Sequence, residues 1–301
     1  MSMRRPSLIL LALGLALQFC PLVQPAEVTK TATSTKSAEL MKQYLGMKLT
    51  PDRTARLAIL DQLGKASDAL DVIQKTWSTI TDPKQRAEVA ETVGRHIQTP
   101  AGAAVLTKWL KDPDATVRWN ALPGLRAMAS RTDRIGLTRI QRGPDKPSKV
   151  AGLVPALIKA ANDSVARVRV GALFALADTR EPQAVQEIHK HLNDANAEVR
   201  LHAACFLTEY QDASGLAEML RVLERLRVPE PNYYEAYMLW ASLERITGRS
   251  MGEIPMIPAL SSSHDTSLLR AGYKNGLDAW HTFFESAEGK QLIQKLTVNS
   301  H

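Results

Sequence analysis

The sequence predicts an all-α solenoid of about five to six helical hairpins, closed by a C-terminal helical cap. Three observations carry this. A turn rich in Asn and Asp, a Val-Arg pair and a run of apolar residues recur together at 111–125, 161–176 and 192–207. The apolar residues of each copy share one helix face. Of the 301 residues 45% are hydrophobic but only 5% aromatic, which favours close-packed helices over sheets rich in aromatic and β-branched residues.

The chain opens on 1–26, which reads as a secretory signal. Arg4 and Arg5 form a basic start, 8–19 is an apolar run and Pro21 breaks it before Ala26. That run is short for a hydrocarbon core roughly 30 Å thick, so a permanent span is not expected. The expectation is export, periplasmic in a bacterium, with membrane contact only through the signal segment. A lipoprotein or a signal-anchored form is the alternative, because Leu17-Gln18-Phe19-Cys20 approaches a lipoprotein signal but carries Phe19 where a small residue belongs. Removing the segment lowers the formal charge from +7 to +5 and leaves Cys205 without a second cysteine for a disulfide. The next stretch, 27–37, is rich in Thr, Ser and Lys and is expected to be a disordered leader.

The solenoid is expected over 38–248. Aligned on the residue before the basic one, five copies start at Ala55, Gln85, Val117, Val168 and Val199. Ile59, Val89, Ala121, Ala172 and Ala203 stand four residues on, and Leu63, Val93, Leu125, Leu176 and Leu207 eight on. Offsets of 0, 4 and 8 make one buried stripe per copy. The period has room for two helices, in the fifth copy about 181–192 and 197–210, with the turn Asp capping the second.

The recurring base is Arg56, Arg86, Arg118, Arg169 and Arg200. Arginine in a first turn opposes the helix macrodipole, so it calls for a local acid. Asp52, Asp82 and Asp114 lie four residues before their Arg, and Asp112, Asp163 and Asp194 six before Arg118, Arg169 and Arg200. We read these as Asp–Arg ladders tying one repeat to the next, against the alternative of an anion-binding arginine row.

The motif N/D-D-x-x-x-x-V-R-x-x-A, as it stands at 162–172 and 193–203, resembles the short HEAT-like repeats of phycobilisome-lyase-type proteins. The resemblance covers about 51–247 and implies a scaffold that wraps a protein partner on the concave face formed by the second helices. It does not imply a lyase. The segment LERITG followed by aromatics resembles the end of many exported bacterial HEAT-like proteins.

An insertion at 130–149 breaks the array and holds Arg131, Arg134, Arg139, Arg142, Lys146 and Lys149 against Asp133 and Asp145. Loops on rigid scaffolds are where binding tends to sit, so the four arginines are candidate partner-binding residues. Just before it, Pro123-Gly124 should kink or end a helix. After the fifth copy, 212–226 reads as a first helix and 233–247 as a sixth second helix, with Ala236 where the Arg should be and Gly248 as its stop. The extension 249–301 leaves the pattern, and its Trp280, Phe283 and Phe284 are expected to pack on the last repeat.

A search for chemistry finds little. His189 and His191 are two apart and leave a helix on different faces, His202 sits mid-helix, and Cys205 lies beside the buried stripe. There is no H-E-x-x-H, no C-x-x-C, no glycine-rich phosphate loop and no His-Glu pair of the kind seen in HEAT-fold metal hydroxylases. Ser261 to Asp265 has the letters of a hydrolase, but contiguous in one loop. No catalytic, cofactor or metal residue is assigned. The expected function is non-enzymatic binding of a protein or peptide partner in the cell envelope, through the concave face or the basic insertion. The alternatives are a tetrapyrrole-like or anionic small ligand, or a lyase-type enzyme, and then nucleic acid, against which export and the acid beside each Arg both argue.

Overall fold

The computed structural model describes residues 26–49, 53–129, 150–226, 232–253 and 267–298. All the regular structure within these residues is helical, and it forms an α-solenoid of six hairpins followed by a two-helix cap.

The first hairpin pairs α1 (Ala26–Gly46) with α2 (Arg53–Gly64), and the second pairs α3 (Ala69–Thr76) with α4 (Pro83–His96). Helices α5 (Pro100–Trp109) and α6 (Ala115–Ala129) form the third, and α7 (Leu153–Ala161) and α8 (Ala166–Thr179) the fourth. The fifth is α9 (Pro182–Lys190) with α10 (Ala197–Leu207), each prolonged by a short 3-10 turn. The sixth is α11 (Leu216–Arg225) with α12 (Tyr233–Thr247), and α13 (Ser267–Glu285) and α14 (Ala287–Val298) make the cap.

The stripe at offsets 0, 4 and 8 is the core. Val117, Ala121 and Leu125, Val168, Ala172 and Leu176, and Val199, Ala203 and Leu207 are all at most 1% exposed. Fully burying a large aliphatic side chain is worth about 1.5–3 kcal/mol, so each second helix is held mainly by this face. Neighbouring second helices α4, α6, α8 and α10 lie against one another far more extensively than the first helices α5, α7 and α9 do. The layer of second helices is therefore the tighter one, and the array curves toward it.

Three local expectations need correction. Residues 27–37 lie within α1 and not in a disordered leader. No Gly or Pro interrupts that stretch, and its end is tied down where buried Ser37 donates to Asp68 at 2.5 Å. Pro123 neither ends nor divides α6, which runs on to Ala129. Gly124 lies where α6 crosses α4, and a Cβ there would stand 2.3 Å from the Gly94 Cα, so the close approach of two glycines sets this crossing.

Capping also differs. Asp82 and Asp114 do accept from the first-turn amides of α4 and α6. In the fifth copy that role falls to Asn196, and α8 has no side-chain cap. The tail forms two helices, α13 and α14. Gly248 ends α12 in the left-handed conformation, at φ 68°.

In the cap, Tyr273, Leu277, Trp280 and Phe284 of α13 are buried against Leu239, Trp240 and Leu243 of α12. Trp240 leaves no room for a side chain opposite it, since a Cβ on Gly276 would stand 1.8 Å from its ring. The expected signal segment (residues 1–25 of it) and the basic insertion at 130–149 lie outside the described residues, as do Asp52 and the loop 261–265.

Candidate functional site: the face of the second helices

The second helices α6 and α8 start with the same joint. Arg118 donates through Nε and Nη2 to the two oxygens of Asp163, at 2.6 and 2.8 Å, and through Nη1 to the Asp112 carbonyl at 2.9 Å. Arg169 repeats this with Asp194, at 2.8 and 2.7 Å, and with the Asp163 carbonyl at 2.9 Å. Each Arg thus holds the backbone of its own turn and the carboxylate of the next. The carboxylate in turn accepts the amide two residues on, from Asp114, Val165 and Asn196 respectively for Asp112, Asp163 and Asp194.

The series continues in both directions. Arg86 pairs with Asp112 at 3.2 Å, and Arg56 reaches Glu88 at 2.8 Å. Arg200 turns to Glu218 of α11 at 3.2 Å and to the Asp194 carbonyl at 2.7 Å, so its acid is Glu218 and not the Asp194 or Asp163 carboxylate. Burial tends to raise the pKa of Asp163 and Asp194, but their Arg partners and the turn amides outweigh it and hold both below the usual aspartate value, Asp194 at about 2.

The opposite side of the second helices, the inner face of the curve, is chemically different. Its residues sit near offsets −1, +3, +6 and +10 of each copy, one helical stripe. Trp119 of α6 is stacked under the Arg167 guanidinium at 4.4 Å. Phe174 of α8 lies under Arg126 at 4.7 Å, and Arg126 pairs with Asp178 at 2.8 Å. Phe174 then meets Phe206 and His202 of α10 at centroid distances of 4.5 and 5.4 Å, and His202 faces Tyr234 of α12 at 6.0 Å. The result is an aromatic and arginine stripe crossing four repeats, with Tyr234 42% exposed.

Residues 154–234, from the fourth hairpin into the sixth, match the family model of HEAT repeats. This stretch of the chain is built of HEAT repeats. No curated protein sequence matches it. Among solved structures it is similar to Escherichia coli YibA, with 15% identity over 90% of this chain and 85% of that one, at a TM-score of 0.46. An engineered protein shares 19% identity over 92% and 76%, at 0.40, and human deoxyhypusine hydroxylase, in complex with glycerol, 15% over 85% and 99%, at 0.28.

In this HEAT-like chain the other sequence-singled residues fall as follows. His189 turns to Asp212 at 2.7 Å, whereas His191 is buried between Glu187 and Asp194 at 3.5 and 3.3 Å. Among the described residues no group of three or more His, Cys, Asp or Glu side chains stands close enough to hold one metal ion. His202 is 1% exposed and bonds the Glu198 carbonyl through Nδ1 at 2.7 Å, and burial holds its pKa below the ordinary value. Cys205 is buried, which pushes its thiol up to about 12. The candidate partner-binding Arg131, Arg134, Arg139 and Arg142 belong to the insertion outside the described residues. Sequence reasoning missed the aromatic stripe. The residues occupy the same helix face in each copy, but their types change from Trp to Phe to His to Tyr, so no repeated letter marks them.

Proposed function

We propose that the protein is a non-enzymatic interaction scaffold of the cell envelope, binding a protein or peptide partner along the inner face of its second helices. HEAT repeats serve generally as protein-interaction scaffolds, and the specific support here is the stripe Trp119–Phe174–Tyr234 with its stacked arginines, underlain by the buried Phe206 and His202. Tyr, Trp and Arg on a concave, rigid surface are the residue types that dominate polypeptide interfaces. The basic insertion extends that surface in this reading. It follows directly in the sequence on α6, whose last turn carries Arg126, and it holds Arg131, Arg134, Arg139 and Arg142.

The test is site-specific photo-crosslinking in host envelope extract, with the crosslinker at Tyr234 on the inner face or at Gln186 on α9. The same polypeptide adduct from position 234 and none from 186 supports the reading, and its loss on deleting 130–149 adds the insertion to the surface. Adducts from 186 alone would overturn it, as would a coloured or anionic small molecule copurifying in stoichiometric amount without any adduct.

A further inference from the structure

Arginines also gather at the C-terminal ends of the second helices, and two of them differ from every Arg in the ladder. Arg180 follows α8, and its Nη1 donates to the Glu209 carbonyl at 3.0 Å while its guanidinium lies 5.0 Å from the Tyr210 ring centre. Arg245, in the last turn of α12, donates through Nη1 to the Thr208 hydroxyl at 3.0 Å. Thr208 and Glu209 are consecutive residues, so the two guanidiniums are anchored side by side on the same turn. Among the described residues neither is paired with a carboxylate.

Each guanidinium carries five N–H donors and no acceptor. Arg180 has its Nε buried without a partner. The surroundings of Arg245 are burial, the nearby Arg180 charge, the Cys205 thiol and the Tyr237 phenol; burial, with that like charge, holds its pKa below the ordinary arginine value. An arginine at a helix C-terminus is favoured by the macrodipole, which accounts for the Arg180 bond to a carbonyl. It does not account for a second, half-buried guanidinium placed beside the first with no counter-charge, an arrangement that costs stability. Arg118 and Arg169, by contrast, are each neutralised by a planar, two-point carboxylate contact.

We propose that Arg180 and Arg245 form an oxyanion site that takes a carboxylate of the bound polypeptide, a Glu or Asp side chain or a chain end. The planar fork of a guanidinium matches a carboxylate at two points, and the flanking Tyr210 and Tyr237 rings suit a peptide chain more than a fully hydrated ion. The proposal rests on the scaffold reading only for the source of the carboxylate.

The test is the melting temperature of the full chain at constant ionic strength, titrated with N-acetylglycine, with inorganic phosphate or with chloride. A saturable rise of about 2 °C or more with N-acetylglycine over chloride is expected, because a ligand bound only by the folded state raises stability. Arg245→Met should abolish the rise without lowering the melting temperature in chloride, since it removes an uncompensated buried charge. Arg180→Gln provides the same readout if the first variant does not fold. No response to N-acetylglycine, a response to phosphate alone, or a response that survives both variants would each overturn the proposal. A positive titration together with failed crosslinking at 234 would keep the site and remove the polypeptide source.

Discussion

Arg169 and Asp194, 25 residues apart in sequence, meet as a two-point pair with Nε 2.8 Å from one carboxylate oxygen and Nη2 2.7 Å from the other. Their side chains are 15% and 8% exposed, so water competes poorly for either charge. Replacing Asp194 with Ala strands a half-buried guanidinium and frees the Asn196 amide. The expected loss is about 2–4 kcal/mol in urea unfolding. A change within error would mean that the joint is solvated in solution.

The same aspartate makes stability depend on pH. Burial alone would raise its pKa, but Arg169, the Asn196 amide and His191 bring it down from 3.8 to about 2. A carboxyl group whose pKa is depressed in the fold stabilises fully above its unfolded value, and the contribution fades as pH falls through the folded one. The urea midpoint of the parent chain should therefore drop more steeply between pH 4 and 2 than that of Asp194→Asn. Parallel profiles would refute the assignment.

Arg200 should matter less than Arg169. Its acid, Glu218, is also held by Arg221, so removing Arg200 leaves that carboxylate partnered. Arg200→Ala is expected to cost about 1 kcal/mol, less than Arg169→Ala in the same denaturation series. Equal losses would place the contribution of Arg200 in its bond to the Asp194 carbonyl.

Gly124→Ala tests the crossing of α4 and α6. The added methyl would stand 2.3 Å from the Gly94 Cα and 2.7 Å from the Leu106 Cδ1; Leu106 can turn aside but the Gly94 backbone cannot, so the two helices must move apart. Overpacking of this kind costs about 1–3 kcal/mol. Gly46→Ala, with nothing within 4 Å of the new Cβ, is the matched control and should leave the melting temperature nearly unchanged or slightly raised.

Cys205 should be inert in the native protein. Burial holds the thiol at about 12, far from the thiolate needed for alkylation. Iodoacetamide at pH 8, followed by mass mapping, should modify it only after urea is added. Rapid labelling without denaturant would show that the joint between α10 and α12 opens readily.

The repeat register was readable because its signal is local: Val-Arg and the apolar 0, 4, 8 stripe lie within one helix. Helix α12 ends where Gly248 predicts it will, and Trp280 and Phe284 cover the last repeat. The role of the turn aspartates was less readable. Their recurrence beside arginines pointed to ladders between repeats, but not to which Arg each meets: Asp163 and Asp194 take the Arg of the preceding repeat, 45 and 25 residues back, and not the one six residues on. Arg245 was hidden for a related reason. It is one base among several in LERITG, and only the fold shows that its neighbours are Arg180 and Thr208.

The joints between repeats have a direction. Each presents an arginine toward the C-terminus and an acid toward the N-terminus, and all five arginines, from Arg56 to Arg200, point the same way. A further hairpin spliced between the fourth and fifth would find a complementary half-joint waiting at each end, whereas one inserted backwards would set like charges together. The sixth copy, with Ala236 in place of the base, offers nothing to a successor. The ladder of charges thus stops one copy before the cap, and the contacts there are carried by the aromatic side chains of α12 and α13.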